Sequence, residues 1–183
     1  MDVIITSTDF SVTEHYDFVR AAAPHAGAVV MFVGLVRDFV SAQNYQQAGL
    51  VEVETAANID YLELEHYPGM TEALCQDIVE QARERFSLDA VRVVHRVGKI
   101  AASEQIVLVV AASKHREDAF NGAQFVMDYL KTQATFWKKE VGTSGEQWLG
   151  LKQTDCDAAK RWGEPSDANN THGNAHPNSQ GTS

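Results

Sequence analysis

The chain has 183 residues, of which 44% are hydrophobic and 22% are charged, a composition typical of a globular domain with its own core. Its formal net charge of −10 and its pI near 5.0 argue against general nucleic-acid binding, which requires a basic surface. No apolar run reaches the roughly 20 residues of a membrane span, the N-terminus has no signal-peptide pattern, and the isolated Cys75 and Cys156 favour a reducing compartment. We therefore expect a cytoplasmic protein that contacts neither membranes nor nucleic acids.

The N-terminal part of the chain predicts a strand, a helix, a second strand and a loop. The stretch "SVTE" is a capping box, in which Ser11 and Glu14 satisfy the free N–H groups of a helix start. Pro24 stops the helical periodicity that follows. The predicted elements are a strand at 3–6, a helix at 12–23, a buried strand at 26–38 and a weakly periodic loop at 38–58.

The remainder of the chain alternates between strand and helix patterns. Leu62 and Leu64 alternate with Glu63 and Glu65, which predicts a half-exposed strand. The predicted elements are strands at 60–66, 104–113 and 147–153, a strand leading to a turn within 89–100, helices at 71–86 and 117–133, and a helical turn at 157–162. The strand at 104–113 is the most apolar, so we expect it at the centre of a sheet.

This order of elements predicts an α+β fold, a single domain whose mainly antiparallel or mixed sheet packs against helices. The strand that begins at 89 and the strand at 104–113 are expected to pair as a hairpin joined by "GKIAAS". We expect the catalytic domain to span 1–162. The polar tail at 163–183 contains no aromatic residue and no aliphatic residue larger than Ala, which predicts disorder.

Three lysines stand among bulky apolar residues in "MDYLKTQATFWKKE", at 127–140. Two interpretations fit Lys131, Lys138 and Lys139. Their alkyl stems cover apolar surface while the ammonium groups stay in water, or the three lysines line a pocket for an anion. Lys138 would nearly eclipse Lys131 if the helix continued, but we expect the helix to fray near 132–135. The spacing alone leaves both readings open.

Further cations lie at the ends of predicted elements. His115 and Arg116 stand where an apolar strand meets a helix start, whose free N–H groups attract anions. Arg37 ends another apolar strand, after Gly34, and arginine suits bidentate binding of phosphate or carboxylate. A solvated turn and a surface ion pair with Asp38 are the alternatives. If these residues converge with Lys131 and Lys138, the ligand is a small anion.

Several common site motifs are absent from the sequence. It contains no GxxxxGK[ST] or GxGxxG loop, no HExxH and no clustered Cys/His spacing. We therefore expect neither a bound cofactor nor a metal site.

The sequence resembles the large, catalytic subunit of molybdopterin synthase. The resemblance runs through residues 3–162, and its most specific part is the combination of "LEHYPGM" with "MDYLK" and "FWK". The matching stretches are "FVGLVR" (32–37), "LELEHYPGM" (62–70), "VVHRVGKI" (93–100), "HR" (115–116), "QFVMDYLKTQATFWKKE" (124–140) and "AAKRW" (158–162).

This resemblance implies a sulfurtransferase of molybdenum cofactor biosynthesis. In that family a small ubiquitin-like partner carries a thiocarboxylate on its C-terminal Gly-Gly end, and its tail enters a pocket of the large subunit. Two sulfur atoms pass to cyclic pyranopterin monophosphate and give molybdopterin. The implied assembly is a homodimer of this chain within a heterotetramer.

The resemblance also implies roles for individual residues. Lys131 and Lys138 match the essential lysines and would serve proton transfer and leaving-group stabilisation. Leu35 departs from the pattern, because that position is often Lys in the family. The implied substrate-binding residues are Arg37, His115 and Arg116 at the pterin phosphate, Phe32 and Met127 as apolar walls, and Lys139 and Glu140 beside the pocket.

Two readings of another class remain open. The chain could recognise the tail of a ubiquitin-like protein without catalysis, or it could be a regulatory domain that binds a small anion. The joint presence of Lys131, Lys138, Arg37 and His115 favours the enzyme.

Overall fold

The computed structural model describes residues 2–36, 59–142 and 145–163, which form two four-stranded sheets and four helices. The predicted loop at 38–58 and positions 164–183 of the predicted tail lie outside the described residues. The strands are β1 (Val3–Thr6), β2 (Ala28–Leu35), β3 (Ile59–His66), β4 (Ala90–Arg96), β5 (Gly98–Ala101), β6 (Gln105–Ser113), β7 (Phe136–Gly142) and β8 (Gly145–Leu149). The helices are α1 (Val12–Ala22), α2 (Met70–Phe86), α3 (Arg116–Thr132) and α4 (Gln153–Lys160).

The first sheet has the order β1-β4-β6-β2 and is mixed, because β1 and β4 are parallel and the other pairs are antiparallel. On β6, Val107, Val109 and Ala111 belong to the core that α2 and α3 cover, while Leu108 and Val110 belong to the core beneath α1. An apolar strand buried on both faces lacks the alternation of a half-exposed one. The predicted central position of this strand is confirmed, and so is its antiparallel pairing with β4.

The second sheet, in the order β5-β3-β7-β8, is antiparallel throughout. The strand predicted to begin at 89 and lead to a turn is β4, but the expected hairpin turn "GKIAAS" (98–103) is wrong, because this stretch contains β5, which joins the other sheet. Gly98 has φ +82°, a left-handed conformation that favours glycine, and the chain changes sheets at this point. The two sheets and four helices confirm the α+β class.

Several helix boundaries follow from local sequence signals. Helix α1 begins after Ser11, whose Oγ accepts a hydrogen bond from the backbone N–H of Glu14 at 3.3 Å, as the capping box predicts. Before α2, the N–H of Gly69 donates to Glu72 Oε2 at 2.6 Å, and the φ of +86° there is one that glycine adopts readily. Gly69 is therefore the N-cap of α2, and its backbone N–H and conformation define the helix start.

The segment after β8 packs back onto the helical layer. Trp162 makes edge contacts with Phe86 and Phe125, and its Nε1 donates to Asp128 Oδ2 on α3 at 2.9 Å. Arg85 of α2 donates to the Trp162 carbonyl at 2.6 Å. These contacts hold α4 beside the C-terminal end of α3, where the predicted lysines lie.

Candidate functional site

Lys131 and Lys138 come together from a helix end and a strand. Helix α3 ends at Thr132, so the continuation that would have aligned the two lysines does not occur. Instead the chain turns into β7, which pairs with β3 and places Lys138 opposite Leu64. Lys138 is half-buried, whereas the Lys131 side chain is 45% exposed, and the charge of Lys131 acts on Lys138.

Helix α4 adds a carboxylate and a third lysine to this pair. Lys131 Nζ lies 3.4 Å from Asp155 Oδ1, and the Asp155 side chain is 25% exposed. Lys152 stands at the N-cap of α4, and its charge also reaches Lys138. We call Lys131, Lys138, Lys152 and Asp155 the lysine site.

The protonation of Lys138 depends on its burial and on these neighbours. Burial lowers the pKa of Lys138 below its ordinary value, because the charged form loses hydration. Asp155 opposes that effect and raises the pKa, while Lys131 and Lys152 lower it further. Lys138 therefore releases a proton more readily than an exposed lysine, a property that suits proton transfer or nucleophilic attack.

A buried histidine supports the strand that carries Lys138. His95 on β4 stacks on Phe136 of β7, with ring centroids 3.8 Å apart and an interplanar angle of 10°. Its Nδ1 lies 2.8 Å from the carbonyl oxygen of Arg96. Burial lowers the pKa of His95 to about 4, so the ring is neutral at pH 7 and joins the two sheets next to the lysine site.

The two predicted apolar wall residues lie on the same side of the first sheet. Phe32 on β2 pairs with Val109, which belongs to the core beneath α3, and Met127 on α3 packs against that core. Phe32 is 42% exposed, and Met127 is one helical turn from Lys131. The close approach allowed by Gly34 is to Val107, because an added Cβ would lie 2.7 Å from its Cγ1.

Lys139 lies on the opposite face of the second sheet from Lys138, since successive strand residues alternate. It forms ion pairs with Glu63 at 2.7 Å and Glu146 at 3.4 Å, and the hydrogen bond to Glu63 raises its pKa. Glu140 alternates back to the Lys138 face and pairs with Leu62 and Gln147 in the ladder. The geometry therefore separates Lys139 from the lysine site.

His115 and Arg116 lie at the other end of α3 from Lys131. Both are exposed, and His115 is the N-cap. The 15 residues from Arg116 to Lys131 correspond to about 22 Å of helix. These cations do not join the lysine site within one chain, and Arg37 lies outside the described residues.

The residues that the sequence analysis missed are Asp155, His95 and Phe136. Asp155 had a local signal, because an acidic residue in the first turn of a helix is favourable. The stacking of His95 on Phe136 had none, because it joins strands 40 residues apart.

Two features are absent from residues 2–36, 59–142 and 145–163. In these ranges no helix is both long and apolar enough to cross a membrane. Nor do these ranges contain a group of three or more His, Cys, Asp or Glu side chains arranged to hold a metal ion.

Known proteins resemble this chain in both sequence and fold. The family model described as "MoaE protein" matches residues 5–133. The molybdopterin synthase catalytic subunit of Vibrio cholerae is 44% identical over 160 residues, which are 87% of this chain and 97% of that protein. The molybdopterin biosynthesis MoaE protein of Burkholderia ambifaria superposes with a TM-score of 0.70 at 40% identity, over 88% of this chain and 97% of that one.

A more distant structure has the same fold. It is the complex of subunits 1 and 2 of molybdopterin-converting factor from Helicobacter pylori, with a TM-score of 0.62 and 17% identity over 83% of this chain and 92% of that one. The family match and the 44% identity over nearly a whole relative establish the relationship: the chain belongs to the MoaE family.

Proposed function

We propose that this chain is the sulfur-transferring, catalytic subunit of a molybdopterin synthase. It converts cyclic pyranopterin monophosphate to molybdopterin with sulfur from the C-terminal thiocarboxylate of a small ubiquitin-like partner. The observation that carries the proposal is the meeting of Lys131 and Lys138 at one site, in a chain 44% identical to a molybdopterin synthase catalytic subunit. Molybdenum cofactor biosynthesis is therefore the pathway that it serves.

The lysine site fits the chemistry of an anionic sulfur donor. A thiocarboxylate carries a negative charge, which Lys131 and Lys152 attract, while the lowered pKa of Lys138 suits it to proton transfer. In each transfer the sulfur forms a bond to a side-chain carbon of the pterin and displaces an oxygen substituent there, its bond to the acyl carbon of the partner breaks, and water supplies the oxygen of the carboxylate left on the partner. We assign Lys131 and Lys138 to catalysis and Met127 and Phe32 to the apolar walls.

The phosphate of the substrate requires cations that one chain does not place at the lysine site. We propose that His115 and Arg116 reach the pterin phosphate from the second copy in a homodimer, because about 22 Å of helix separates them from Lys131 in their own chain. Arg37 is proposed to contribute to the same phosphate site. Glu140 and the ion-paired Lys139 are assigned to the rim.

The assembly follows from the same proposal. The H. pylori structure of this fold is a complex of two different subunits, which supports a small partner for this chain. We propose a heterotetramer, a homodimer of this chain with one small subunit per copy. Its location is proposed to be cytoplasmic, as the isolated cysteines suggest.

Reconstitution tests the proposal. The purified chain is mixed with a thiocarboxylated small subunit and cyclic pyranopterin monophosphate, and molybdopterin is measured as its fluorescent oxidation product. We expect product only when all three components are present, and none when the small subunit ends in an ordinary carboxylate. A stable complex without product would replace the enzyme with a module that only binds the tail.

A further inference from the structure

The carboxylate of the lysine site is unlike its neighbour on the same helix. Asp155 lies 3.4 Å from Lys131, with 25% of its side chain exposed. Asp157 pairs with Lys160 at 2.9 Å, but those side chains are 59% and 70% exposed. Asp157 therefore forms an ordinary surface pair, whereas Asp155 is largely covered at the place where the lysines meet.

The fold fixes Asp155 in that position from both ends of α4. It lies in the first turn, where the helix dipole favours a negative charge. Beyond the last turn, Trp162 and Arg161 both contact Asp128 of α3, at 2.9 and 3.5 Å. The contact between Asp155 and Lys131 thus belongs to a helix that is held against α3.

The charges around Asp155 are mainly positive. Lys131 faces it from α3 and Lys152 from the start of α4, and Asp155 itself acts on Lys138 of β7. His95 approaches Lys138 from β4 but is neutral at pH 7, and Glu140 shares the Lys138 face of β7. Asp155 therefore neutralises part of a site built from three lysines.

We propose that Asp155 is a positioning residue, the resident counter-ion of the lysine site, which holds the Lys131 ammonium group until an anionic ligand displaces it. The inference rests on the proposed function, because the thiocarboxylate or the phosphate is the anion that must displace Asp155 from Lys131. Two negative groups do not share one ammonium group without mutual repulsion, so the ligand binds against Asp155. Asp155 thus weakens anion binding and raises the pKa of Lys138 in the empty protein.

The test titrates the lysines without any substrate. The seven lysines are labelled by reductive ¹³C-methylation, and the signals of Lys131 and Lys138 are assigned from Lys→Arg variants. Wild type, Asp155→Asn and the matched control Asp157→Asn are titrated by NMR. Binding of cyclic pyranopterin monophosphate to wild type, Asp155→Asn and Asp157→Asn is measured by calorimetry.

We expect Asp155→Asn to lower the pKa of Lys138, whereas Asp157→Asn leaves it unchanged. The Kd of the substrate should fall about two- to fivefold in Asp155→Asn, the size expected for one partly exposed ion pair. Asp155→Glu keeps the charge and should titrate as wild type does, which separates the role of charge from that of folding.

An unchanged titration in Asp155→Asn, or an equal change in Asp157→Asn, would overturn the inference. Weaker substrate binding in Asp155→Asn would also overturn it. If the wild type neither binds the pterin nor makes molybdopterin, the proposed function fails, while the titration still decides whether Asp155 is the counter-ion.

Discussion

At the scale of single residues, the two lysines differ in their surroundings. Lys131 is exposed enough to change position, whereas Lys138 is half-buried on a strand and has a lowered pKa. An exposed ammonium group beside a half-buried amine with a lowered pKa suits a reaction that needs both charge stabilisation and proton movement.

Lys131→Ala and Lys138→Ala should each reduce molybdopterin formation by at least about 100-fold, the usual loss when a general acid or base is removed. The control is Lys160→Ala, because the Lys160 side chain is 70% exposed and pairs with Asp157. Turnover in the reconstituted assay measures the effect, and circular dichroism checks the fold. Near-normal turnover of a folded Lys131→Ala protein would remove that lysine from the mechanism.

The buried His95 should make stability depend on pH. Its pKa is about 4 in the folded protein, whereas the unfolded chain keeps the ordinary value of 6.5, so below pH 6.5 the unfolded chain binds the extra proton. The contribution of His95 to the free energy of unfolding is therefore fully present above pH 6.5. It is lost as the pH falls from 6.5 towards 4. A difference of about 2.5 units corresponds to about 3 kcal/mol.

Urea unfolding at pH 7.5 and pH 5 tests this dependence. We expect His95→Gln to lose less stability than wild type between the two values, while His25→Gln, at an exposed histidine, follows wild type. Equal losses in wild type and His95→Gln would show that His95 does not carry the effect.

At the scale of elements, α4 is the piece on which the lysine site depends. None of its residues is buried. The contacts of Trp162 with Phe86, Phe125 and Asp128 hold its C-terminal end. A short helix of eight residues is marginal without such packing. Its position therefore comes from the aromatic residue that follows it.

Trp162→Ala should lower the free energy of unfolding by about 2 kcal/mol, less than the 3–5 kcal/mol typical of fully buried aromatics. Turnover should fall as well, because α4 no longer holds Asp155 and Lys152 at the site. Trp148→Ala is the control for stability, since Trp148 is 55% exposed. Chemical unfolding and the reconstituted assay give the two readouts, and an unaffected turnover would argue against this role of α4.

At the scale of the whole molecule, the two ends of α3 carry different groups of cationic residues. The lysine site is at its C-terminal end and the exposed His115 and Arg116 are at its N-terminal end. A homodimer that brings the N-terminal end of one α3 to the C-terminal end of the other would complete two equal sites.

Mixed dimers test this arrangement. Lys131→Ala and Arg116→Ala should each be nearly inactive alone. When the two proteins are unfolded and refolded together, one site in each mixed dimer has both residues intact, so part of the activity should return. If each site belonged to a single chain, the mixture would stay as inactive as its components.

The polar tail should be dispensable for the catalytic domain predicted at 1–162. A chain that ends after Gly163 keeps Trp162 and its contacts, so we expect the Tm and turnover of the full chain. A chain that ends after Gly150 lacks α4 and Trp162 and should lose both. A large loss in the longer variant would assign the tail a structural or functional role.

Local sequence signals predicted most elements of this protein. Ser11 and Glu14 marked the start of α1, the apolar run at 104–113 marked the central strand, and the segment around Lys131 marked the family. These predictions succeeded because capping, periodicity and motif each depend on residues that are close in sequence.

Only the tertiary structure decided how these elements meet. Strand β7 was missed because its lysines interrupt the apolar pattern, and its pairing with β3 is what brings Lys138 to Lys131 and turns Lys139 away. Contacts between segments distant in sequence also decide three other features: the change of sheet at Gly98, the stacking of His95 on Phe136 and the ion pair of Asp155 with Lys131. The sequence by itself determined the elements and the chemical groups, whereas long-range pairing and packing decided which of those groups share a site.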